Sequence, residues 1–76
     1  RLPAALASAV KALASAAGNL ERACDAGVAR GCDALGALYF RGVGVERDLK
    51  RGLVLFRRAC DGGHTLACAR LDELEE

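Results

Sequence analysis

The chain has no methionine and no tryptophan, one histidine (His64), one proline (Pro3), and no aromatic side chains beyond Tyr39, Phe40 and Phe56. It also lacks an excess of either charge: 11 basic against 10 acidic residues leave a formal net charge of +1. Backbone recognition of nucleic acid needs a concentrated basic face. The densest basic pair, Arg57 and Arg58, is too little, so nucleic acid is set aside as the main ligand. No apolar run approaches the roughly 20 residues that span a bilayer, and no membrane insertion is expected. The opening RLPAALASAVKALASAAG is apolar and ends in small residues as a secretory leader does, yet Lys11 interrupts its apolar stretch. A start at Arg1 rather than methionine reads as a processed product or a piece of something longer. No segment alternates apolar and polar residues long enough for a strand.

What is present is alanine, leucine and valine, a helix-leaning composition, in only 76 residues. A chain this short buries too little surface for a comfortable core. Such domains are usually reinforced by disulfides, a metal or stacked neighbours. The four cysteines are therefore informative.

The chain repeats itself. Shifted by 36 places, Leu20–Leu38 lies over Phe56–Leu74, and Arg22, Ala23, Cys24, Asp25, Gly27, Cys32, Leu35 and Leu38 meet identical residues. A period in the thirties indicates stacked helical hairpins. One domain is expected, with a divergent N-terminal helix over 1–19, a full repeat over 20–55 and a partial one over 56–76.

Periodicity predicts an all-α chain with four helices at about 3–25, 29–40, 48–61 and 65–75. The first opens near Pro3, a residue favoured in a first turn. Its seam is Leu6, Val10, Leu13, Ala17, Leu20 and Cys24, unbroken through Gly18-Asn19. The second turns Cys32, Leu35, Leu38 and Tyr39 inward, and its Ala34, Gly36 and Ala37 admit a close neighbour. Gly42 and Gly44 suit the following loop. Asp48 is placed to cap the third helix, whose inward residues are Leu49, Leu53, Phe56 and Cys60. Thr65 is the candidate cap of the fourth, with Cys68, Leu71 and Leu74 inward.

These residues carry a resemblance. Leu35-Gly36, Tyr39, Gly42 to Val45, Asp48 with Arg51, and Phe56 are similar to the hallmark of the Sel1-like repeat, a relative of the tetratricopeptide repeat. The paired cysteines resemble the cysteine-rich branch known from Helicobacter secreted proteins, and a mitochondrial intermembrane-space assembly factor. The resemblance covers Leu20 to Glu76 and implies a right-handed α-α superhelix, a solenoid of antiparallel hairpins whose concave surface is a scaffold for other proteins. It also brings a minor alternative, a β-lactam-binding or hydrolysing relative.

Within each pair the cysteines stand eight positions apart, at the end of one helix and in the first turn of the next. A tight turn brings those ends to disulfide distance, about 5 to 6 Å between Cα atoms. The expected bonds are Cys24–Cys32 and Cys60–Cys68, each worth roughly 2.5 kcal/mol in the chain-entropy model. They imply the periplasm or secretion, with the mitochondrial intermembrane space as an alternative. Two other readings stay open: free buried thiols, which would permit a cytoplasmic chain, and a zinc site with His64 joining Cys60 and Cys68. The second is weaker, because structural zinc ligands are usually spaced two to four residues apart. No metal and no cofactor is expected.

Catalysis is not expected either. His64 falls in a turn beside two glycines, where an exposed polar residue is the simpler reading. Asp25 and Asp61 recur one repeat apart and are expected to bond turn amides. Ser8 and Ser15 have no base nearby, and LDELEE reads as a solvated helix end suited to capping an array. The positive expectation is a protein or peptide partner in the concave groove, contacted by Arg22, Arg30, Tyr39, Arg58 and Arg70. The alternative is self-association into a homo-oligomer through Leu2, Leu6, Val10 and Leu13.

Overall fold

The computed structural model describes residues 4–74, with side chains from residue 15 onward. Four helices follow one another: α1 Ala4–Asp25, α2 Ala29–Arg41, α3 Leu49–Asp61 and α4 Thr65–Leu74. Among the described residues there is no strand. The fold is all-α. α1 runs unbroken through Gly18-Asn19, whereas the expected opening at Pro3 and the side chains of the seam residues Leu6, Val10 and Leu13 lie outside what the structure describes. Short turns make consecutive helices antiparallel neighbours, with α2 packed on α1 and α3, and α3 packed on α2 and α4.

The repeat is a backbone event as well as a sequence one. At the end of α1, the Gly27 N–H bonds the Cys24 carbonyl and the Val28 N–H bonds that of Ala23, both at 3.0 Å. At the end of α3, 36 places on, the Gly63 N–H bonds the Cys60 carbonyl and the His64 N–H bonds that of Ala59, again at 3.0 Å. This is the Schellman closure, which needs a left-handed residue just past the helix. Gly27 (φ 91°) and Gly63 (φ 95°) supply it. The α2–α3 loop opens on Gly42 at φ 73°, whose N–H bonds the Leu38 carbonyl. It ends at Asp48, whose carboxylate accepts the Arg51 N–H at 3.1 Å and caps α3.

Three local expectations need correction. α4 begins at Thr65 itself, so His64 holds the capping position; the Schellman turn uses one residue fewer than a threonine cap requires. Leu49 and Leu74 are 44% and 41% exposed rather than inward. The actual inner line of α3 is Gly52, Leu55, Phe56 and Ala59, and that of α4 is Ala67 and Leu71. Stepping by the larger apolar residues passes over Gly52, Ala59 and Ala67, which occupy the inner lines because the helices lie close together. The remaining inward residues hold: Cys32, Leu35 and Phe56 are each 2% exposed, and Leu38, Tyr39 and Cys60 are half-buried against the core.

Candidate functional site

α2 and α4 both lean on α3, and the space between them is a groove of about 230 Å³. Its walls are Ala37, Phe40 and Arg41 on α2, and Arg70, Glu73 and Leu74 on α4, over a floor made by Phe56 of α3. Ala37 matters because a larger residue would fill the space that its methyl leaves. The volume is below the roughly 300 to 1,000 Å³ of small-molecule sites. It suits one bulky side chain projecting from a longer partner.

One wall is held by a partly buried charge cluster. Asp33, on the inner side of α2, is 8% exposed. Its Oδ2 lies 3.3 Å from His64 Nε2 in the α3–α4 turn, and its Oδ1 lies 3.2 Å from Arg70 Nε on α4. The Asp33–Arg70 approach is off the hydrogen-bond axis, so neither atom gains a directed hydrogen bond from it. The attraction is that of an ion pair. The Arg70 guanidinium also lies 5.7 Å above the Phe56 ring, a cation–π contact that holds it at the groove's edge. His64 is thus not the exposed turn residue expected, because the closure at Gly63 directs it onto α2. Its side chain is only 19% exposed.

The five candidate partner-contacting residues do not converge. Of them only Arg70 lines the groove. Tyr39 lies under Arg51, whose guanidinium is 4.9 Å from its ring and 3.5 Å from Glu21. Arg58 sits beside the first cysteine pair, 3.5 Å from both the Asp25 carboxylate and Cys24 Sγ. Asp25 therefore faces a guanidinium rather than a turn amide. Arg22 donates to Asn19 on its own helix, and Arg30 is exposed on α2. The residues missed were Ala37, Phe40, Arg41, Glu73 and Asp33. The 36-place shift relates only Ala37 and Glu73 across the two walls, so the repeat carried little signal for the rest.

The four cysteines form two bonds, Cys24–Cys32 with Cα atoms 4.5 Å apart and Cys60–Cys68 at 4.8 Å. Both fall below the expected separation and within the usual disulfide range. Sulfurs so joined are not thiolate ligands, and with Cys60 bonded to Cys68 the zinc reading through His64 loses its donors.

One sequence spacing bears on catalysis. Ser8 and Lys11 stand at the serine-x-x-lysine spacing used by β-lactam-handling enzymes, although the accompanying Ser-Asp-Asn and Lys-Thr-Gly triplets do not occur. Both side chains lie outside the described residues. So does the apolar row proposed for self-association. Among the described residues, no helix is long and apolar enough to cross a membrane.

No curated protein and no solved structure matches the chain. Residues 29–64 match the model of the Sel1 repeat, one whole period from the start of α2 to the turn that closes α3, so that segment is similar to a Sel1 repeat.

Proposed function

We propose that this chain is a non-catalytic interaction module that holds a segment of a partner protein in the α2–α4 groove, in an oxidising compartment. The observation that carries the reading is the pairing of an apolar floor with a polar rim. Phe56, Phe40, Ala37 and Leu74 offer a desolvated seat for one large side chain, while Arg41, Arg70 and Glu73 stand where peptide amides, carbonyls and charges would pass. Anchoring a buried apolar residue inside a hydrogen-bonding rim is how interfaces concentrate affinity. Arg70 is already held by Asp33 and Phe56, so its immobilisation on binding costs little further entropy. Arg22, Arg30, Tyr39 and Arg58 would contribute only where a partner extends beyond the groove. The two disulfides support the compartment, since such bonds persist where thiols are not kept reduced.

Peptides selected for binding to the oxidised chain provide the test. They should lose binding to Ala37→Trp, which fills the groove, and keep it with Val54→Trp, where the native side chain is 64% exposed and outside the groove. Equal binding to both variants refutes the reading. A chromogenic β-lactam should show no turnover; hydrolysis that disappears in Ser8→Ala would replace the scaffold reading with an enzymatic one.

A further inference from the structure

We infer that Cys60–Cys68 is a redox latch on this groove, opened by a dithiol reductant that leaves Cys24–Cys32 intact; the inference rests on the groove being the binding surface. The two bonds occupy equivalent places in the repeat, yet their surroundings differ. Cys24 and Cys32 are 3% and 2% exposed. Cys60 and Cys68 are only half-buried. Thiol–disulfide exchange requires an attacking thiolate to reach a sulfur, so access sets which pair reacts first.

The chemistry balances without another reactant. One thiolate of the dithiol attacks a sulfur of Cys60–Cys68, forms a mixed disulfide and expels the other cysteine as a thiolate. The second reductant sulfur then closes the reductant's own disulfide and expels the remaining cysteine. Two electrons and two protons pass from the dithiol to the pair.

The two cuts have different consequences. α2 buries Gly31, Cys32, Asp33, Leu35 and Gly36 between α1 and α3, and it stays packed without its staple. α4 has 10 residues and buries only Ala67 and Leu71, while Leu66 is 62% exposed and Leu74 41%. Helices shorter than about 12 residues are marginal in water without tertiary support. Once Cys60–Cys68 opens, α4 is tethered by Asp33's contacts with His64 and Arg70, by the Arg70–Phe56 contact and by the burial of Ala67 and Leu71. Since α4 is one wall of the groove, releasing it dismantles the seat while the α1–α3 body stays folded.

The experiment treats the oxidised chain with limiting dithiothreitol, traps thiols with iodoacetamide and maps them, with hydrogen exchange and peptide binding read on the same samples. Cys60 and Cys68 should be labelled well before Cys24 and Cys32. Protection of α4 amides should then fall by roughly 60-fold, the equivalent of one eight-residue loop closure, with α2 and α3 protection kept. Cys60→Ser with Cys68→Ser should reproduce this state without reductant and should not bind the selected peptides. Simultaneous labelling of both pairs, earlier labelling of Cys24, unchanged α4 exchange, or collapse of α2 and α3 along with α4 would each overturn the latch. Labelling order and exchange decide this even if no peptide recognises the groove, a result that would refute the binding reading alone.

Discussion

Gly36 and Gly52 meet backbone to backbone where α2 crosses α3. A Cβ on Gly36 would stand 3.0 Å from the Gly52 carbonyl oxygen and 2.9 Å from the Phe56 ring, and a Cβ on Gly52 would stand 3.0 Å from the Gly36 carbonyl oxygen. The contact is reciprocal, and backbone atoms cannot swing aside as a flexible side chain can. Each glycine costs about 1 kcal/mol of helix propensity relative to alanine, so close packing must offset about twice that.

Gly36→Ala and Gly52→Ala should therefore each destabilise the chain, by about 1 to 2 kcal/mol after the propensity gain is subtracted from the overpacking cost. Gly18→Ala is the control. No atom lies within 4 Å of a Cβ there, inside α1, and the same change should stabilise by up to about 1 kcal/mol. Urea denaturation of the three variants reads the sign directly. Stabilisation by all three would show that the helices do not approach closely at this crossing.

The two Schellman turns make a paired prediction. Gly27 and Gly63 have φ of 91° and 95° with open space around them, so alanine there suffers from backbone strain and not from collision. Gly27→Ala and Gly63→Ala should lose similar amounts, about 1 to 2 kcal/mol each. Thermal melts of the oxidised proteins would measure both. A loss at only one site would mean that the turns are not equivalent.

Asp33 ties three segments together. Asp33→Ala removes the carboxylate that His64 and Arg70 share and should cost about 1 to 3 kcal/mol. Amide exchange should show the loss concentrated in α4. Because the cluster is partly buried, the difference from wild type should persist at about 0.5 M salt, where exposed ion pairs are largely screened. A difference that vanishes in salt would reduce the cluster to a surface contact.

Asp48 caps α3 through the Arg51 amide. Asp48→Ala should cost about 1 kcal/mol and Asp48→Asn much less, because asparagine retains an acceptor oxygen. Equal losses in denaturant melts would shift the explanation from the hydrogen bond to the charge.

Much of the fold was legible one residue at a time. Asp48 as a cap, Gly42 in the loop and the Cys24–Cys32 and Cys60–Cys68 spacings depend on neighbours within a few positions. Local geometry leaves them few alternatives. The misreadings share another cause. Apolar stepping puts Leu49 and Leu74 inside, while the close α2–α3 crossing gives the inner line of α3 to Gly52 and Ala59, and α4 turns Ala67 and Leu71 inward. His64 reads as exposed in sequence because Asp33, the carboxylate its ring meets, lies 31 positions away in the chain.

Helix number and order, the 36-residue recurrence, the turn glycines and the cysteine pairing were written in the order of the amino acids, since each arises from interactions within a turn or two of backbone. The groove between α2 and α4, the burial of Asp33 against His64 and Arg70, and the unequal exposure of the two disulfides came only with the packed chain. They depend on how far apart helices settle, and that distance is set by small residues and ring faces meeting across the core, which no local pattern records.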